Sequence, residues 1–418
     1  MKNEVVIPLC EMGGFGDIIA GRAIKESLQK NKIPARMSFP NLEVKQKYEE
    51  IFGSTRNYSP KDDKPLIAIC PVNDERTKEM KNKTKALIEI NEYDKPSSGY
   101  KGITINTGFG FYTNRGSVPA GIYLRDKMKT KLKNPPKKQK ILEQICEETH
   151  HSMKNMEGFL NSDHAIAYSS SLHTPTAYLK IIKKTEKHLE KPLYIFTMSP
   201  NDEIKEGVKT ISNKLGLHHI RANYKNEPNI NCPIKVIELE TIPEALFQDL
   251  LVTSNKLSLI TGDHSLSQMI QKSMSNNPIP FLYMEASWKN NLTKNLTQLL
   301  EMSNSQMSEL FQGFSKLDRF YQNGQIDKRN IFLSHKLGHF NKFPSDFKKL
   351  VYDTQTINEF NEAAKKIKDN FIQIRKNADI PKAETLWDVQ ETTVEILKNL
   401  LDGADEKEAI KDFIIPEK

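Results

Sequence analysis

Little in this chain supports covalent cross-linking, and no segment of it is apolar enough to cross a bilayer as a helix. Only four cysteines occur in 418 residues. They are Cys10, Cys70, Cys146 and Cys232, and no two form a Cys-x-x-Cys pair. That spacing excludes a disulfide framework and a cysteine zinc site, and predicts a reducing compartment. Cys10, Cys70 and Cys232 lie in or beside apolar runs, where buried inert thiols are common. No apolar stretch approaches the roughly 20 residues a membrane-spanning helix needs. The opening MKNEVVIPLCEMGG has neither the apolar core nor the cleavage site of a signal peptide. These absences predict a cytoplasmic protein, or one exported without a cleavable signal, as a bacterial effector entering a host cell would be. No internal repeat of fixed period is present.

What is present is the material of a packed enzyme. Apolar residues make up 37% and charged residues 27% of the chain, ordinary values for a globular protein. The length calls for two or three domains. A net charge of +8 suits an anionic ligand or an acidic partner and gives no reason to expect nucleic acid. The charge is uneven. Arg125 to Lys140 holds eight cations and one acid, and reads either as a solvated face or as a patch for an anionic partner or membrane surface. The Lys- and Asn-rich texture suggests an AT-rich bacterial genome.

Along the chain, apolar runs alternate with amphipathic ones. Val5 to Cys10 is strand-like, and Ile18, Ile19, Ile24 and Leu28 recur at helical spacing. Residues 36–39, 65–70, 85–90 and 103–105 predict further strands, and 107–119 a glycine-bearing loop. His164 to Tyr168 reads as another strand of this first half, and Lys183 to Lys191 as a charged linker. A second α/β rhythm follows. Residues 193–197, 217–220, 235–239, 257–260 and 280–284 read as strands, with amphipathic helices between them. After Trp288 only helical patterns remain. The expected organisation is a first Rossmann-like lobe over 1–185, a second over 190–300, and a helical extension over 301–418.

Two motifs can carry chemistry. The first is Gly13-Gly14-Phe15-Gly16-Asp17, between a strand and a helix. Glycine lets the backbone turn sharply and approach a ligand, and the helix start offers N–H groups and a positive dipole end to an anion. The dinucleotide fingerprint requires Gly-x-Gly-x-x-Gly. Here Ile19 stands at the third glycine position, and the next glycine is Gly21. Glu11 ahead of the glycines also matches a methyltransferase first motif. Asp17 serves either as a helix cap or as a catalytic carboxylate.

The second motif is Thr261-Gly262-Asp263-His264-Ser265-Leu266-Ser267, between an apolar strand and an amphipathic helix. Ligands bind at the carboxyl ends of strands in such sheets. Gly262 permits close approach, and Ser265 and Ser267 offer hydroxyls to a diphosphate. His264 can neutralise a leaving phosphate, and Asp263 can accept from a sugar hydroxyl.

Together the two motifs resemble those of GT-B glycosyltransferases, which have two facing Rossmann-like lobes. A Gly-x-Gly-Asp turn after the first strand is similar to that of heptosyltransferases, protein O-fucosyltransferase-like enzymes and the arginine rhamnosyltransferase of elongation factor P. The resemblance implies an α/β fold of two Rossmann-like lobes with a helical C-terminal extension. It also implies a nucleotide-diphosphate sugar as donor co-substrate, no separate cofactor, and an acceptor that is a protein side chain or a glycan. Asp17 matches the position of the catalytic base. Gly14, Phe15, Gly16, Asn106 and Arg115 fall on the acceptor side of the cleft. Ser199, Arg221, Glu240, Gly262, Asp263, His264, Ser265 and Glu285 fall on the donor side. Softer donor-side positions are Met198, Pro200, Glu238 and Trp288.

The chain lacks the paired-glutamate donor motif of the common retaining families, which favours inversion. It lacks Asp-x-Asp, which argues against metal-dependent transfer. His335 and His339 stand four apart with no third ligand, so no metal site is expected. A Rossmann-type methyltransferase or dehydrogenase is the alternative enzyme, with Glu43 as its ribose-binding acid. A non-catalytic α/β effector or binding protein is the third reading.

Overall fold

Each short run of Val, Ile and Leu becomes a strand of one of two parallel six-stranded sheets in the structure, a computed structural model. It describes residues 5–9, 16–52, 67–70, 80, 83–92, 102–109, 117–170, 172–199, 201–222, 232–240, 242–284, 290–315 and 343–416. The chain divides into two compact units. One comprises Met1–Arg125, Lys294–Leu299 and Ile367–Lys418, and the other Asp126–Thr293 and Leu300–Lys366.

In the first unit the strands are β1 (Val5–Pro8), β2 (Ala35–Ser38), β3 (Ile67–Cys70), β4 (Ala86–Glu92), β5 (Ile103–Thr107) and β6 (Ser117–Pro119). Their order across the sheet is β2-β1-β3-β4-β5-β6, and every pairing is parallel. Strands buried on both faces read as continuous apolar runs, as Ile67–Cys70 does. The chain leaves β1 for β2 on one side and returns to β3 on the other. The topological switch point, where ligands bind in open α/β sheets, is therefore at the carboxyl ends of β1 and β3.

The second unit holds β7 (Asp163–Tyr168), β8 (Leu193–Met198), β9 (His218–Arg221), β10 (Ile234–Leu239), β11 (Ser258–Thr261) and β12 (Phe281–Met284). Their order is β12-β11-β7-β8-β10-β9, again all parallel. The switch point lies at the carboxyl ends of β7 and β11. β7 runs alongside β8 over its whole length, from Asp163↔Leu193 to Tyr168↔Met198. The sequence reading placed this strand in the first lobe and a linker after it. Here residues 183–191 instead belong to the crossover between β7 and β8, through the helix His173–Lys184 and the short turn Glu186–His188. The second unit accordingly starts at Asp126. Its Lys-rich start forms the helices Asp126–Lys133 and Lys138–Thr149.

The helices expected as one C-terminal extension are divided between the units. Phe281 of β12 meets the ring edges of Phe311 and Phe360, so this part packs on the second sheet. Residues 367–418 pack on the first. There the Gly121 N–H donates to Leu386 O, and Ile122 N–H to Trp387 O. A Cβ on Gly121 would stand 2.5 Å from the Trp387 carbonyl, so only glycine admits this approach. The Trp387 ring closes the core against Phe109 and Phe371. No aperiodic signal in the sequence marks the split at Lys366. It is set by which sheet each apolar face can cover.

Candidate functional site

The helix that begins at Gly16, the described end of the first motif, follows β1 at the switch point of the first sheet. Gly13, Gly14 and Phe15 lie outside the described residues, as do Glu11, Arg115, Glu285, Trp288, Pro200, His335 and His339. The helix Gly16–Lys30 follows β1, and Asp17 is in its first turn, not ahead of it. An acid there complements the helix dipole. A Cβ on Gly21 would stand 2.2 Å from Leu9 Cδ2. Gly21 thus provides the close helix-to-strand packing that the third glycine of a dinucleotide fingerprint provides, two residues later than that pattern requires. Asn106, on β5, is 2% exposed. Its amide nitrogen donates to Ser117 Oγ at 3.0 Å, and it stands three strands from β1 in the sheet order. Glu43 is exposed, in the first turn of the helix Leu42–Phe52.

The second motif occupies the switch point of the second sheet. β11 ends at Thr261, and the helix Asp263–Ser273 follows after a single residue, Gly262. Gly262 has φ +78 and ψ 154, a region essentially restricted to glycine. A Cβ there would meet no described atom within 4 Å. The helix that follows has no side-chain cap at Gly262. Its first N–H groups therefore look for partners outside the helix. Ser265 and Ser267 are buried in the first turns, and His264 is half-buried. Of Asp263 the backbone is described, at the helix start. Gly262→Ala should destabilise the second unit by about 1–3 kcal/mol through backbone strain. Urea denaturation measures this, and an unchanged midpoint would show that the turn is not strained.

The register brings a further group to this point. Leu259 pairs with Ala167, so Ser169, just beyond β7, stands beside Thr261. The Ser169 hydroxyl contacts Met284 Sδ at 3.2 Å, and Thr261 Oγ1 donates to the Met284 carbonyl. Ser169 and Ser170 were visible in the sequence as a serine run after an apolar strand. Only the pairing of β7 with β11 shows that they adjoin the Gly262 turn.

Of the other donor-side positions, Ser199 lines a small pocket together with Ser169, Met198 and Glu238. Ser199 Oγ, after β8, accepts from Asn201 N at 3.3 Å. Asn201 then caps the helix Asp202–Lys214 through Glu203 N at 2.7 Å. Glu240 is exposed, just past β10. Arg221 ends β9 and is committed to carboxylates. Its Nε donates to Glu238 Oε1 at 2.7 Å, and NH1 to Glu206. Burial works against the Arg221 charge, but these two carboxylates outweigh it and raise its pKa. Burial of Glu238 likewise opposes its charge, and His219 and Arg221 overcome this and hold its pKa below the usual value. His219 Nε2 lies 3.3 Å from Glu238 Oε2. His151, which the sequence reading did not single out, completes the cluster. It is buried, and its Nε2 is 2.8 Å from the Glu238 carbonyl. Desolvation lowers its pKa. These groups brace the carboxyl ends of β10 and β9, two and three strands from β7. Among the described residues, no group of three His, Cys, Asp or Glu could hold a metal ion.

Two α/β units, each built on a parallel six-stranded sheet, define the class of protein by its fold: a pair of Rossmann-like units with C-terminal helices. No family model matches the chain, and no curated protein matches it. Solved structures that resemble it include a glycosyltransferase from Rickettsia africae ESF-5 (12% identity, 90% of this chain and 99% of that one, TM-score 0.46). MurG of Acinetobacter baumannii is similar at 10% identity, over 90% of this chain and 99% of that one, with TM-score 0.41. An alpha,alpha-trehalose-phosphate synthase (UDP-forming) from Burkholderia vietnamiensis is similar at 8% identity, over 92% and 97%, with TM-score 0.40.

Proposed function

We propose that this chain is a glycosyltransferase of the GT-B type, moving a sugar from a nucleotide-diphosphate donor to a protein side chain or glycan. One observation carries the reading. In each unit, the helix that follows a motif the sequence singles out starts at the switch point of its own parallel sheet, Gly16–Lys30 after β1 and Asp263–Ser273 after β11. One such helix start is compatible with many nucleotide-binding enzymes. Two, on two separate Rossmann-like units, suit an enzyme that takes a donor on one and an acceptor on the other.

The second unit takes the donor. The Gly262 turn leaves room for a diphosphate against the first N–H groups of the helix Asp263–Ser273, where an anion is favoured. His264 and Ser265 are in the first turn of that helix, and the register of β7 against β11 puts Ser169 beside Thr261. The first unit takes the acceptor, with Asp17 as base. Its carboxylate removes a proton from the acceptor hydroxyl or amide as the acceptor atom bonds to the anomeric carbon. The bond from that carbon to the diphosphate oxygen breaks, and the departing nucleoside diphosphate keeps the electron pair. Helix N–H groups and His264 stabilise that charge. Attack in line with the leaving group inverts the anomeric centre. The absence of Asp-x-Asp from the sequence supports a reaction without a donor-bound metal. Arg221 is left out of this scheme, because Glu238 and Glu206 already hold it.

A thermal-shift series decides the class. Midpoints are measured with UDP-, GDP-, dTDP- and ADP-sugars, and with S-adenosylmethionine and NAD. Ligand at a hundred times its Kd should stabilise the protein by about 2.7 kcal/mol. A rise with at least one nucleotide sugar is expected. A rise with S-adenosylmethionine or NAD alone would overturn the transferase reading in favour of a methyltransferase or dehydrogenase.

A further inference from the structure

A parallel strand covered on both faces is expected to be apolar throughout. β4 and β5 depart from this. They alternate strictly, as Ile88-Glu89-Ile90-Asn91 and Ile103-Thr104-Ile105-Asn106, which is the pattern of a half-exposed strand. Yet every one of these eight residues is buried.

The register gathers the polar members on one face. Glu89 pairs with Thr104, Asn91 with Asn106, and Thr104 in turn with Ser117 of β6. Alternate residues of a strand share a face, so the isoleucines form the other one. Nearer the amino ends the polar face begins as ordinary core, where Ala68, Cys70 and Leu87 cluster with Met80. It turns polar only towards the carboxyl ends of β4 and β5. That is the edge at which ligands bind in open α/β sheets.

The hydrogen bonds of this row do not close within the protein. Asn106 Nδ2 donates to Ser117 Oγ, and Glu89 and Ser117 have further interactions of their own. Asn91 is 0% exposed. Among the described residues, neither polar atom of its carboxamide has a hydrogen-bond partner, and neither does Asn106 Oδ1. The Thr107 hydroxyl donates to the Asn91 backbone carbonyl, not to its side chain. A buried amide without a partner opposes folding. Two of them, side by side at the ligand edge of a sheet, call for a partner from outside the chain.

We infer that Asn91 and Asn106 bind the hydroxyls of an uncharged sugar ring and so recognise the acceptor. The inference rests on the transferase reading and narrows its acceptor from a protein side chain or glycan to a glycan. The unmet groups are one amide NH2 and two carbonyl oxygens, so the ligand must both donate and accept, as a hydroxyl does. The row of Glu89, Asn91, Thr104, Asn106 and Ser117 carries a carboxylate and no cation, which disfavours a phosphate or carboxylate ligand. It is two strands wide and two rungs deep, about 5 Å by 7 Å. A single carboxamide meets such an area at one point, whereas neighbouring hydroxyls on a ring meet it at several.

Saturation-transfer NMR of the full chain tests this with the methyl glycosides of glucose, galactose, mannose, rhamnose and N-acetylglucosamine. At least one should bind, and glucose 6-phosphate and acetyl-asparagine amide should not. Asn91→Leu removes an unpaired amide and keeps its volume. It should leave the thermal midpoint unchanged or raised while weakening glycoside binding about tenfold or more. Asn91→Ala, which adds no atom, should weaken binding equally. Failure of every glycoside to bind, preference for the phosphate or the carboxamide, or variants that bind as the parent does would each overturn the inference. A lowered midpoint in Asn91→Leu would show that the amide serves the fold through buried water, and would overturn it too. The nucleotide-sugar thermal shift of the parent reports on the transferase reading separately. A shift without glycoside binding overturns this inference alone, and glycoside binding without a shift overturns the transferase reading and leaves a sugar site of another activity.

Discussion

Asp17→Asn should reduce sugar transfer by about a hundred- to ten-thousandfold, the usual contribution of a positioned general base, while nucleotide-sugar affinity stays at the parent value. The contrast follows from the two-unit architecture. Asp17 is in the first turn of the helix after β1, in the first unit. The donor is assigned to the Gly262 turn, in the second. If Asp17 only favoured its helix electrostatically, the substitution would cost about 0.3–1 kcal/mol of stability and leave transfer intact. Titration calorimetry with the donor and a transfer assay on the same variant separate the outcomes. Loss of donor binding would show that the two units have been assigned the wrong way round. Full activity would remove Asp17 from the mechanism.

The second large effect concerns stability. His164, on β7, is completely buried. Its Nε2 faces the Leu250 carbonyl and Thr253 Oγ1, each at 3.2 Å, and its ring meets the edges of Phe159 and Phe196. Burial, reinforced by the charges of Lys138 and Lys272, pushes its pKa down to about 3 from 6.5. The unfolded chain therefore takes up a proton that the folded chain refuses. Stability is unaffected by this group above pH 6.5 and is lost progressively as pH falls from 6.5 towards 3. At about 1.36 kcal/mol per unit the full loss is about 5 kcal/mol, and about 2 kcal/mol falls between pH 6.5 and about 5, before most carboxylates titrate. Hydrogen exchange of the β7 and β8 amides follows the second unit alone. In His164→Phe, which keeps the ring packing, protection should fall less with pH over that interval than in the parent, and His151, whose pKa is also lowered, contributes to the slope that remains. Parallel profiles for parent and variant would show that His164 is not the responsible group.

Periodicity alone located most strands of both sheets to within a residue or two. Parallel strands covered on both faces are continuous apolar runs, and β3 and β8 read as such. The helices of the Lys-rich start at Asp126 were not separable from a solvated stretch, because their few buried positions, such as Met128 and Ile145, are lost among charges. Apolar spacing over residues 357–374 predicts a single helix, and the structure has two, Thr354–Lys365 and Ile367–Asn377, which belong to different units. Apolar spacing continues across the junction without a proline or glycine to mark it.

The candidate site divides in the same way. The two glycine turns were legible as strand–turn–helix junctions with too little side chain to be ordinary core, and their residues were named from sequence. That each stands at a switch point was not legible. It depends on strand order, and strand order depends on pairings between residues that are far apart in the chain. The same holds for Arg221. Its sequence position, just past an apolar run, suited a phosphate ligand. The register of β9 against β10 puts Glu238 beside it and commits it to structure.

The sequence by itself determined the alternation of strand and helix, and the two strand–turn–helix junctions where glycine lets backbone approach an anion. These are local properties, set by side-chain spacing and by glycine. Only the tertiary structure decided that β7 belongs to the second sheet, that the C-terminal helices return to the first, and that Ser169 joins Gly262. Each of these rests on hydrogen bonds and apolar burial between distant segments, for which adjacent residues carry no signal.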